Sequence, residues 1–89
     1  MRIDKFLQLS GIIPRRTRAQ EACSRGYVEL NGRRAKPSAS VAVGDNIAVR
    51  LGRRHSVYEV LMLPERPVPR KSRHEAAKLV ESGVTGDPE

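Results

Sequence analysis

The dipeptide Asn31-Gly32 restricts the fold of this chain more than any other feature. Both residues accept positive φ, which closes a two-residue hairpin whose twist matches its strands. The alternation Val28, Leu30 runs into the turn, and Arg33-Arg34-Ala35-Lys36 forms a basic return arm. A β-hairpin therefore sits one third of the way along.

Upstream, Ile3, Phe6 and Leu7 share one face of a helix over residues 3–10, with Ser10-Gly11 as its stop. Pro14 suits the first position of a second helix, which ends at Gly26. Its apolar stripe is Ala19, Ala22 and Cys23, small enough for close packing, with Arg15, Arg16, Arg18 and Arg25 on the flanks. Downstream, Val41 and Val43 lead to the turn Gly44-Asp45, and Ile47, Val49 and Leu51 alternate as a half-buried strand. Gly52 to His55 is expected as a turn, and Val57 to Leu63 as a last strand. Pro64, Pro67 and Pro69 mark an extended linker. Beyond it, Ser72 to Glu75 fits a capping box, and Ala76, Leu79 and Val80 predict a final helix ending at Gly83. The expected order is two helices, about four strands and a helix, an α+β domain with a small antiparallel sheet.

Charge narrows the function. The 89 residues carry 17 Lys and Arg against 10 Asp and Glu, net +7. That balance points to a polyanionic partner. The excess lies in residues 1–36, while the tail turns acidic at Asp87 and Glu89. The start of helix two offers free backbone N–H groups beside Arg15 and Arg16, a ready phosphate site that Arg2 and Lys5 join if the helices pack together. With Phe6 assigned to the core, Tyr27 and Tyr58 are too few for a stacking platform, so the surface should read the backbone and shape of structured RNA.

Catalysis finds little support. Cys23 falls on the small-residue stripe and reads as core. His55 and His74 read as solvated groups or phosphate contacts, and the two cannot complete a metal shell. No Gly-rich phosphate loop is present. The chain is expected to be a non-enzyme without cofactor or metal. A single cysteine and the lack of a long apolar run fit a reducing cytoplasm and no membrane.

The motifs Arg2-Ile3-Asp4-Lys5-Phe6-Leu7, Pro14-Arg15-Arg16-Thr17-Arg18-Ala19, Gly26-Tyr27-Val28, Asn31-Gly32, Ala35-Lys36 and Val43-Gly44-Asp45 follow in order as in the RNA-binding domain named after ribosomal protein S4. Over residues 1 to about 52 the chain resembles the bacterial heat-shock subfamily of that family, and above all its ribosome-associated quality-control branch. The resemblance implies an S4-like (alpha-L) fold, two N-terminal helices on a small bent antiparallel sheet followed by a short C-terminal helix or tail. It divides the chain into an S4-type domain, 1–63, and a Pro/Arg-containing linker with the C-terminal helix or tail, 64–89. It implies RNA contact through Arg2, Asp4, Lys5, Arg15, Arg16 and Arg18, with Arg33, Arg34 and Lys36 from the neighbouring hairpin. The implied partners are the rRNA of the large ribosomal subunit, an obstructed peptidyl-tRNA, and an RqcH/NEMF-type protein that adds C-terminal alanine without mRNA. A heat-shock type factor that recycles stalled large subunits, or a ribosome-assembly protein, is the alternative. A monomer is expected, since the basic face is committed to RNA.

Overall fold

The computed structural model describes residues 1–84. Helix α1 spans Ile3–Ser10 and places Ile3, Phe6 and Leu7 fully inside. It stops where expected: Gly11 takes φ +83°, and its N–H donates to the Gln8 carbonyl at 3.1 Å. Helix α2, Arg16–Ser24, begins two residues later than the proline suggested. Proline disfavours helical backbone in the residue before it. The buried Ile13 is held in the corner by donating its N–H to the Leu7 carbonyl at 3.0 Å, and helical geometry starts only after it. Arg15 is thus the extended N-cap residue and Arg16 the first helical one.

Strands β1 (Val28–Leu30) and β2 (Arg33–Arg34) form the expected hairpin, with Asn31 at φ 52° and Gly32 at φ 84°. Strand β3 (Asn46–Leu51) pairs with β1 on one side and with β4 (Arg54–Val60) on the other. The turn between β3 and β4 is tighter than expected, because Leu51 pairs directly with Arg54. His55 consequently lies in β4 opposite Arg50, and the strand ends at Val60 rather than Leu63.

The C-terminal helix expected over residues 72–83 does not form. After a 3-10 turn, Arg70–Ser72, a single helical turn α3 covers Arg73–Ala76, and Ala77–Val84 is strand β5, antiparallel to β4. Ser72 makes no side-chain cap. Three apolar residues and a glycine give a weak helix signal, whereas the free edge of β4 offers a full set of backbone donors and acceptors. Pairing along that edge outweighs local preference. The register slips once, between Val57 and Tyr58. The acidic end expected at Asp87 and Glu89 lies outside the described residues.

The sheet order is β2-β1-β3-β4-β5, antiparallel throughout. The core joins Ile3, Phe6 and Leu7 of α1, Ala19, Ala22 and Cys23 of α2, and Val28, Ile47, Val49 and Val60 from the strands, with Ala77 of β5 at its rim.

Candidate nucleic-acid interface

Asp4 is a fully buried carboxylate at the start of α1, an expensive place for a charge unless it is paired. Three side chains converge on it. Arg2 Nε donates to Oδ1 at 3.2 Å and its terminal nitrogen to Oδ2 at 3.1 Å. Gln20 Nε2 donates to Oδ2 at 3.0 Å, and Arg16 Nε stands 3.5 Å from the same oxygen. Burial raises the Asp4 pKa, but the Gln20 and Arg2 hydrogen bonds and the charges of Arg16 and Arg2 outweigh it, so the group lies below its ordinary value. Asp4 is therefore ionised at neutral pH.

The cluster has a clear chemical capacity. The Arg2 side chain is 50% exposed and that of Arg16 39%, so each reaches Asp4 on one side and solvent on the other. A guanidinium has five donors, and the carboxylate leaves most of them free for phosphate oxygens. Asp4 itself is buried and accepts only, so it acts on a ligand through the two arginines it aims. α2 adds a positive dipole end at Arg16, where no side chain caps the N-terminus.

A neighbouring loop reinforces this face. The Ile3 N–H donates to Ala39 O at 2.7 Å and the Asp4 N–H to Pro37 O at 3.2 Å, which brings Lys36 and its neighbours beside the first turn of α1. Arg33, Arg34 and Lys36 line a shallow depression there. Lys5, Arg15, Arg33 and Lys36 are all exposed. Arg34 is already engaged, since its guanidinium donates to the Ser24 carbonyl at the C-terminal end of α2. Arg18 stands apart, on the far flank of α2 from Arg16. Gln20 is the member that sequence reasoning missed. An uncharged side chain draws no attention in a charge map, although its i, i+4 spacing from Arg16 puts both on the flank that faces Asp4.

The candidates for catalysis are placed elsewhere. Cys23 is buried in the core, and burial together with the Asp4 charge raises its pKa to about 11. Such a thiol is protonated at neutral pH and a poor nucleophile. His55 is half-buried in β4, its Nδ1 enclosed without a hydrogen-bond partner, and His74 is exposed on α3. No helix among the described residues is long and apolar enough to cross a membrane.

Comparison with known proteins identifies the family and the fold. The family model described as S4 domain matches residues 1–47. Over 75 residues the chain is 45% identical to the RQC P-site tRNA stabilizing factor of Helicobacter pylori strain J99, covering 83% of this chain and 89% of that one. With the protein of the same name from Bacillus subtilis it shares 46% over 54 residues, 61% of this chain and 63% of that one. Among solved structures, trimeric heat shock protein 15 of Vibrio cholerae superposes with a TM-score of 0.84 at 26% identity, covering 90% of this chain and 81% of that one. The solution structure of a hypothetical protein, HP1423, gives 0.76 at 40% identity, with 91% and 98% covered.

Proposed function

The chain belongs to the S4-domain family, and on that premise we propose that it is an RNA-binding factor of ribosome-associated quality control. It binds the large ribosomal subunit that holds an obstructed peptidyl-tRNA, touches both rRNA and tRNA, and steadies the tRNA while an RqcH/NEMF-type protein adds alanine without mRNA. The observation that carries this reading is the convergence of Arg2, Arg16 and Gln20 on buried Asp4, which fixes two half-exposed guanidinium groups at one face. Arg2 and Arg16 take phosphates of a structured RNA, Lys5, Arg15, Arg33 and Lys36 extend the field around them, and Asp4 and Gln20 are positioning residues. The protein acts as a monomer in the cytoplasm.

Such a face recognises backbone and shape, which suits rRNA and tRNA helices better than it suits a sequence motif. Because its contribution is binding, it acts by holding the tRNA in one place, not by making or breaking a bond. The test is recovery of the protein from cells with its bound RNA and nascent chains. Large subunits, peptidyl-tRNA and alanine-tailed chains should co-purify with wild type and be lost with Arg16→Ala. Recovery of free, unfinished subunits alone would instead favour an assembly role. The similarity in shape to heat shock protein 15 supports a second reading, a factor that recycles stalled large subunits, in which nascent chains are released without alanine tails.

A further inference from the structure

α2 has cations on two flanks. At about 100° per residue, Arg16 and Gln20 stand on the flank toward Asp4, while Arg18 and Arg25 stand on the opposite one, with buried Ala19, Ala22 and Cys23 between them. Beyond the second flank the surface is concave. Three adjoining depressions share Ile12, and Leu51 and Tyr58 each border two of them, so they lie side by side from α2 across β3 and β4 to α3, together a trough.

Its lining has a distinct chemistry. Arg18, Arg25, Arg50, Arg54 and Arg73 border it, and the single acid among its described residues, Glu21, is paired with Arg25 at 3.0 Å. Both tyrosines of the chain line it, and although two rings are too few for an extended stacking platform, Tyr27 is 42% exposed and can take a single base. Ile12 and Leu51 supply an apolar floor. None of Arg2, Asp4, Arg16 or Gln20 borders the trough. Ile12 and Tyr58 also pack against the core, but Tyr27 and Leu51 are exposed beside the arginines, and a surface that met only phosphates would have no use for them there; a duplex has no splayed base to put on them. Guanidinium groups beside aromatic faces suit extruded nucleotides, whose bases stack while their phosphates pair.

We propose that this trough binds unpaired nucleotides of a structured RNA, with phosphates on Arg18 and Arg54 and a base against Tyr27. The inference rests on the RNA-binding reading above and adds a second contact on the opposite flank of α2. One small domain then grips two RNA elements at once, a helix by the Arg2–Arg16 face and a loop by the trough.

The test uses the full chain and two labelled RNAs, a hairpin with a long unpaired loop and a blunt duplex of the same stem. Wild type should prefer the hairpin. Tyr27→Ala should weaken hairpin binding about tenfold, as loss of one stacked base does, and leave duplex binding nearly unchanged, while Tyr27→Phe retains the preference. Arg18→Ala/Arg54→Ala should also remove the preference, which keeps the proposal testable if Tyr27→Ala fails to fold. Arg16→Ala should weaken both RNAs alike. The trough assignment falls if wild type binds the two RNAs equally, if the tyrosine and arginine variants keep its preference, or if a polyglutamate peptide competes with the loop as well as RNA does. Binding of the duplex that survives Arg16→Ala would count against the Asp4-centred face and not against the trough. Wild type that binds neither RNA removes both.

Discussion

Gln20 Nε2 lies 3.0 Å from Asp4 Oδ2, a hydrogen bond from the middle of α2 to the first turn of α1. It fixes the relative rotation of the two helices at the point where the basic face is assembled. A neutral amide can do this without adding charge, which leaves both arginines with donors to spare.

Asp4→Asn should therefore act on stability and on binding. Losing hydrogen bonds to a charged acceptor costs about 1.5–3 kcal/mol, and because Arg2 and Arg16 keep access to water we expect the lower end. The Asp4 pKa is lowered in the folded state, so its contribution is fully present above the unfolded-state pKa and is lost as pH falls through the folded one. Urea unfolding at a series of acidic pH values should show this loss in wild type and not in Asp4→Asn. A pH profile shared by the two proteins would show that Asp4 is not the group responsible.

Arg16→Ala should weaken binding to large ribosomal subunits by about 1.5–3 kcal/mol, the range for a hydrogen bond to a charged group, with little change in fold. Arg66→Ala removes the same charge from an exposed position in the proline-rich segment and should have a small effect. Equal losses would mean a diffuse field. Wild-type affinity should fall with salt, log K against log salt having a slope of roughly −3 to −5 for four to six phosphates.

Cys23 should resist thiol reagents in the folded protein, since it is buried and its pKa is raised to about 11. Cys23→Ser should lower stability by about 1–2 kcal/mol and leave RNA affinity unchanged. Fast labelling of native protein, followed by loss of ribosome binding, would contradict this.

Removing residues 64–89 should leave a domain that still unfolds cooperatively, because nearly all of the core comes from Ile3 to Val60. The truncated chain loses Ala77 from the core rim and the partner of β4, so its urea midpoint should drop. A broad, non-cooperative transition would show that β5 is indispensable.

The elements differ in how far local sequence determines them. α1 matches the expected residues because its stripe and its glycine stop are local signals. The Asn31-Gly32 hairpin was equally plain, since few residues tolerate its backbone. Burial of Phe6 and Cys23 followed from periodicity. β5 was not legible, because what makes it a strand is the exposed edge of β4, which lies far away in sequence. The same holds for the site. Charge pointed to Arg2 and Arg16, but only the fold shows Gln20 completing the cluster and Arg34 turned away to the end of α2.

The slip in register between β4 and β5 has a bearing on how the protein behaves in a crowded cell. β5 is an outer strand, and Leu79 and Val80 on it are about half exposed, the combination that invites chains to zip together edge to edge. The slip sets Tyr58 opposite Leu79 and Val57 opposite Glu81, which leaves Val80 as the extra residue of a bulge. A foreign strand approaching that edge meets a kink after a few bonds, with the charged side chains of Lys78 and Glu81 on either side. The irregularity is the kind of feature that discourages edge-to-edge pairing, and straightening it by deleting Val80 should increase self-association.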